Sequence, residues 1–229
     1  MSNLNTALFL DFDHTLFDTD EFFHVDVRGA FGHLGIDDAL WEQTYERVWK
    51  AGYTLERHAE EIHRQSGNQL PLGEMRSIID GTFSDLRRYL FSDVLPFLRR
   101  AKEKDVYLFL LSFGNPDWQR YKVLASRVGS HFDDMFFVPK EGGKAGIILE
   151  VADRFDRIIV VDNNPAELDL IKDMVSTVET YCINRVPDEM FDSRDGSARL
   201  RFLEAKKYLG KTWRYQHVVC RDLNGILFL

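Results

Sequence analysis

Short, wholly apolar segments that stop abruptly at a polar residue constrain this chain more than any other feature. Ala7-Leu8-Phe9-Leu10 ends at Asp11, Val106 to Leu111 ends at Ser112, and Ile158-Ile159-Val160-Val161 ends at Asp162. Met135 to Val138 is a shorter run, and Val178 to Ile183 a less uniform one. Apolar runs of this length without alternation suit strands buried on both faces, as in parallel sheets covered by helices. Between the later runs lie helical patterns: Asp93–Lys104, with Pro96 in its first turn, Pro116–Val128, Ala145–Phe155 and Pro165–Met174. Strand alternating with helix predicts an α/β fold, a doubly wound, mostly parallel sheet with helices on both faces.

Residues 18–92 break that rhythm. They carry only helical patterns, near Asp20–Leu34, Asp37–Ala51, Thr54–Gln65 and Leu72–Phe91, punctuated by Gly35, Gly52, Gly67 and Pro71. A stretch of roughly 75 residues is too long for a simple crossover. The expected organisation is a core of residues 1–17 and 93–229 with an all-helical cap, 18–92, that has its own small core. Trp41 and Trp49 are expected in that core, and His58 and His63 on solvated helix faces. In the tail, Val218-Val219 either adds a strand or packs on the core.

Asp plus Glu exceed Lys plus Arg by 37 to 29, a formal charge of −8, and the arginines of the tail are scattered among acids. That balance argues against nucleic acid as a partner. Two cysteines, Cys182 and Cys220, cannot build a disulfide framework, and no apolar run approaches the roughly 20 residues that span a bilayer. With no basic leader at the N-terminus, the expectation is a cytoplasmic protein without membrane contact. The sequence leaves the oligomeric state open.

Ligands in open parallel sheets bind beyond the carboxyl ends of the strands. Asp11, Ser112 and Asp162 end three of them, so two carboxylates and a hydroxyl are expected to converge. Asp11 and Asp13 point the same way from an extended chain. The segment Asp11-Phe12-Asp13-His14-Thr15-Leu16 has no Lys or Arg to offset their repulsion. A divalent cation would do so, since hard cations take oxygen ligands. One carboxylate could then act as nucleophile and the other handle protons. His14 is expected to pack or shape the backbone.

These residues resemble the motifs of the haloacid dehalogenase-like (HAD) hydrolase superfamily. Asp11, Asp13 and Thr15 match its Asp-x-Asp-x-Thr after a buried strand, Ser112 its second motif, and Asp162 its fourth. The third, a lysine at or before a helix start, has two candidates. Spacing favours Lys144, 18 residues before Asp162, over Lys140. The resemblance implies a Rossmann-like core with a C1-type helical cap, and a Mg²⁺-dependent phosphatase acting on a small phosphorylated metabolite through an aspartyl-phosphate. It implies Asp11 as nucleophile and Asp13 as acid and base. Ser112 and Lys144 would hold the phosphoryl oxygens, with Phe113 and Gly114 lining the substrate site. Asp11, the Asp13 carbonyl and Asp162 would bind Mg²⁺. Where many members carry a second acid beside the last motif, this chain has Asn163, and its next acid is Glu167. A phosphomutase using the same site, or a catalytically weak protein that binds a phosphorylated ligand or a protein partner, are the alternatives.

Overall fold

A computed structural model describes residues 5–185 and 212–226. All five expected strands form: β1 (Thr6–Leu10), β2 (Tyr107–Phe113), β3 (Asp134–Val138), β4 (Arg157–Asp162) and β5 (Glu179–Ile183). Val218–Cys220 adds a sixth, β6. All pairings are parallel, in the order β3-β2-β1-β4-β5-β6. The chain builds outward from β1 on one side, then crosses back to continue from β4 on the other. The switch point therefore lies at the carboxyl ends of β1 and β4, where such sheets bind ligands.

The absence of alternation in the strands has its physical reason here, because both faces are covered. Leu8, Leu10, Leu108, Leu110, Ile159 and Val161 face one side. They meet α5 (Val94–Glu103) through Phe97, Leu98 and Ala101, and α6 (Pro116–Ala125) through Val123. Ala7, Phe9, Phe109, Leu111, Ile158 and Val160 face the other, against Ala145 and Ile148 of α7 (Gly143–Val151) and Leu168 and Ile171 of α8 (Pro165–Met174).

Between β1 and β2 the structure is helical. A wide π-helical turn, Asp20–Val27, runs into α1 (Arg28–Gly32), followed by α2 (Asp38–Lys50), α3 (Leu55–Gln65) and α4 (Leu72–Thr82). The π turn buries Phe22, Phe23 and Val27 together. The helix expected to reach Phe91 stops at Thr82; the Asp85 carboxylate takes the Arg87 amide at 3.0 Å, a local bond that competes with helix. The helix expected to reach Val128 stops at Ala125, because Arg127 adopts a left-handed φ of 59°.

The expected separate core is corrected. Phe22, Phe23, Trp41, Ile62 and Phe83 belong to the same buried cluster as Leu8 and Leu10 of the sheet. Aromatic contacts make the join: Phe12–Phe17 at 5.0 Å, Phe17–Phe22 at 5.5 Å and Phe22–Phe83 at 5.5 Å between centroids. Trp41 is buried as expected, but Trp49 is 53% exposed.

His58 is a second correction, being fully buried instead of solvated. Its Nε2 lies 3.0 Å from Thr44 Oγ1 and its Nδ1 3.2 Å from the Tyr53 hydroxyl. Each ring nitrogen faces a hydroxyl, which can donate or accept, so a ring with a single N–H is fully satisfied. The ring is thus neutral, and burial pushes its pKa from 6.5 down to about 4. The unfolded chain takes up a proton that the folded one refuses. Stability present above pH 6.5 is therefore lost as pH falls toward 4, by about 1.4 kcal/mol per pH unit from this group. In urea unfolding, wild type should lose stability over that interval more steeply than His58→Gln. Parallel pH profiles would refute the assignment.

Candidate active site

Register sets the site. Leu10 pairs with both Leu110 and Val161, so one residue further on Asp11 lies between Leu111 and Asp162, with Ser112 just beyond. Asp11 and Asp162 are both buried at the switch point. Such a pair is unstable without countercharge. Lys144, in the first turn of α7, supplies it: Nζ donates to Asp11 Oδ1 and to Asp162 Oδ2, each at 2.6 Å. Gly142, with φ of 75°, lets the chain turn into α7 so that Lys144 faces inward. Lys140, four residues earlier, is exposed.

Burial pushes the Asp11 carboxyl up to about 7 against the pull of Lys144, and the neighbouring Asp162 adds to the rise. Burial likewise raises Asp162. Burial opposes the Lys144 charge, yet the two carboxylates outweigh it and hold the ammonium well above lysine's usual value. One ammonium between two carboxylates leaves a negative excess whenever both are ionised.

Asp13 does not share that counter-ion. Its Oδ1 accepts from Lys122 Nζ and, at 2.7 Å, from Thr19 Oγ1; its Oδ2 accepts from Gln119 Nε2 at 2.9 Å. Burial would raise this carboxyl, but the Lys122 charge and these hydrogen bonds hold it below the usual range. The repulsion read within residues 11–16 is thus answered by lysines from two different helices.

Ser112 is fully buried, and its Oγ has no hydrogen-bond partner among the described residues. Phe113 gives its carbonyl to Gln119 Nε2 at 2.8 Å. Gly114 has φ of 135°, and a Cβ there would lie 2.6 Å from Gln119 Nε2, so it leaves room for that side chain. His14 takes a left-handed φ of 57° at the turn after Asp13, with Nδ1 3.6 Å from Asp20. Glu167, the next acid after Asn163, is buried beside the start of α7. Its Oε1 accepts the Gly142 amide at 2.8 Å, while Oε2 is buried with no hydrogen-bond partner among the described residues.

Four residues of this neighbourhood escape the sequence reading: Lys122, Gln119, Thr19 and Arg185. Arg185 donates twice to the Thr15 carbonyl, at 3.0 and 2.6 Å, and pairs with Asp93 at 2.8 Å, bracing the turn after Asp13. Gln119 and Lys122 had a signal, a helical i, i+3 spacing on the helix directly after Ser112.

No family model and no curated protein matches the chain. Solved structures do. A protein of Burkholderia xenovorans LB400 proposed to be a haloacid dehalogenase-like hydrolase superposes with a TM-score of 0.68 at 15% identity, over 96% of this chain and 94% of that one. The L-2-haloacid dehalogenase of Xanthobacter autotrophicus, with chloropropionic acid covalently bound, gives 0.61 at 16% identity over 96% and 95%. The proposed HAD-hydrolase YfnB of Bacillus subtilis, bound to magnesium, gives 0.51 at 13% identity over 82% and 93%. The chain has the fold of the haloacid dehalogenase-like hydrolases.

Proposed function

We propose that the protein is a Mg²⁺-dependent phosphatase that hydrolyses a small phosphorylated metabolite through an aspartyl-phosphate at Asp11. The carrying observation is Asp13, a second carboxylate fixed by Lys122, Gln119 and Thr19 two residues beyond the nucleophile candidate. An alkoxide leaving group needs a proton; a halide does not. A held acid–base group therefore fits phosphate esters better than haloacids.

Asp11 attacks phosphorus, the bond to the ester oxygen breaks, and that oxygen takes a proton from Asp13. An incoming phosphate dianion opposes the ionisation of Asp13, which favours its protonated form for this step. Water then yields a proton to Asp13 as it cleaves the aspartyl-phosphate, and Asp11 is restored. Ser112 Oγ and Lys144 hold the phosphoryl oxygens.

The donor set fits Mg²⁺. Among the described residues no three His, Cys, Asp or Glu side chains gather as a ligand group, but Mg²⁺ is commonly held by one or two carboxylates and keeps several waters. Asp11, Asp162 and the Asp13 carbonyl would hold it. When bound, Mg²⁺ supplies the positive charge that a dianionic ester needs beside the negative excess at Asp11 and Asp162. Residues 18–92 act as the cap that selects the substrate.

Turnover of p-nitrophenyl phosphate is expected with Mg²⁺ and lost in excess chelator; undiminished turnover there would remove the metal from the reading. Haloacid hydrolysis is the second reading, favoured by the likeness to the Xanthobacter enzyme. Chloride release from 2-chloropropionate, without metal and without phosphatase turnover, would establish it instead.

A further inference from the structure

We propose that Lys122, together with Gln119 one turn earlier on α6, is the positioning device that aims the Asp13 carboxylate at the leaving group. The inference rests on the phosphatase reading and deepens it, giving two residues of α6 a stated role in proton transfer.

Lys122 is 3% exposed, an arrangement that is costly unless the charge is paired. Its ammonium binds Asp13 and lies 5.6, 5.8 and 5.9 Å from the ring centroids of Phe12, Phe17 and Trp118. Three aromatic rings leave that ammonium little freedom, and their faces favour a cation. Gln119 takes the other carboxylate oxygen and binds the Phe113 carbonyl with the same nitrogen. Both Asp13 oxygens are thus engaged by donors from one helix, which restricts rotation of the carboxylate. The same contacts tie Asp13 to the end of β2, beside Ser112.

The local sequence builds this device. Asn115 caps α6, accepting from the Asp117 and Trp118 amides at 3.0 and 3.3 Å, and Pro116 starts the helix. The i, i+3 spacing sets Gln119 and Lys122 on one face. Gly114 keeps the path of Gln119 open, since any Cβ there would collide with it. Lys144 offsets part of the charge around the nucleophile; Lys122 and Gln119 orient the proton carrier.

The test is a leaving-group series, from p-nitrophenyl through phenyl to alkyl phosphates, with the full-length protein and Mg²⁺. Lys122→Met should lower kcat/KM, which reports the steps through phosphoryl transfer and not the shared hydrolysis step, by about 100-fold for the alkyl ester, at least about 10-fold more than for the p-nitrophenyl ester, whose leaving group needs little protonation. KM should change little, because ground-state binding is not what is lost. Lys122→Arg should recover part of the alkyl activity. Gln119→Met, which keeps the ion pair, should show the same pattern in smaller measure and serves if Lys122→Met does not fold. Equal losses across the series, or none, would overturn the positioning role while leaving the phosphatase reading intact. A wild type that turned over no phosphate monoester would remove both.

Discussion

Asp11→Asn is expected to lower turnover of every phosphate ester by at least about 10,000-fold, because a neutral amide is a poor nucleophile. The fold should survive the change. Asp11 is buried, and burial already drives its carboxyl up to about 7, so a neutral side chain of the same shape suits the position. Lys144 keeps Asp162 as a partner at 2.6 Å. Thermal unfolding should therefore show a variant at least as stable as wild type while steady-state assays show it inactive. Borohydride added during turnover should label wild type at Asp11 and leave the variant unlabelled. Normal turnover in Asp11→Asn, or a label on another residue, would remove the covalent mechanism.

Lys144→Ala is expected to damage both activity and stability. Removing a preorganised charge from a transferring phosphoryl group costs about 100- to 1,000-fold in turnover. It also leaves Asp11 and Asp162 buried without the ammonium that bridges them. Breaking a buried ion pair by deleting one partner costs about 3–5 kcal/mol. The Asp11 carboxyl, which Lys144 pulls down against burial, should titrate higher still. Residual activity should then shift to higher pH, since the nucleophile must be ionised. Exposed Lys140 has none of these contacts, and Lys140→Ala should leave rate and urea midpoint near wild type. The reverse pattern would move the role four residues earlier.

Strand positions and the strand-end residues were legible in the sequence because a parallel sheet covered on both faces needs uninterrupted apolar runs. Those runs stop at the carboxyl edge of the sheet, where polar side chains replace apolar ones although Asp11, Ser112 and Asp162 are still buried. The stop positions Asp11, Ser112 and Asp162 were therefore readable as one edge, and β1 to β5 were found where the runs lie. Helix ends were less legible. At Asp85 and Arg127 a side-chain hydrogen bond and a left-handed residue end what periodicity alone would continue. His58 shows the same limit in the helical segment. Nothing in its spacing reveals that Thr44 and Tyr53 satisfy both ring nitrogens and make burial possible.

The sequence by itself determined the α/β architecture, the edge of the sheet that carries the polar residues, and the two carboxylates of Asp11-Phe12-Asp13, since these depend on the order and polarity of neighbouring residues. Only the tertiary structure decided how their charges are balanced. Lys144 meets Asp11 across 133 positions of chain and Lys122 meets Asp13 across 109. Only folding makes contacts over such separations, because each depends on where a helix docks against the sheet. A lysine's pairing is thus set by the packing of the helix that carries it, and the local sequence around Asp11 and Asp13 holds no trace of it.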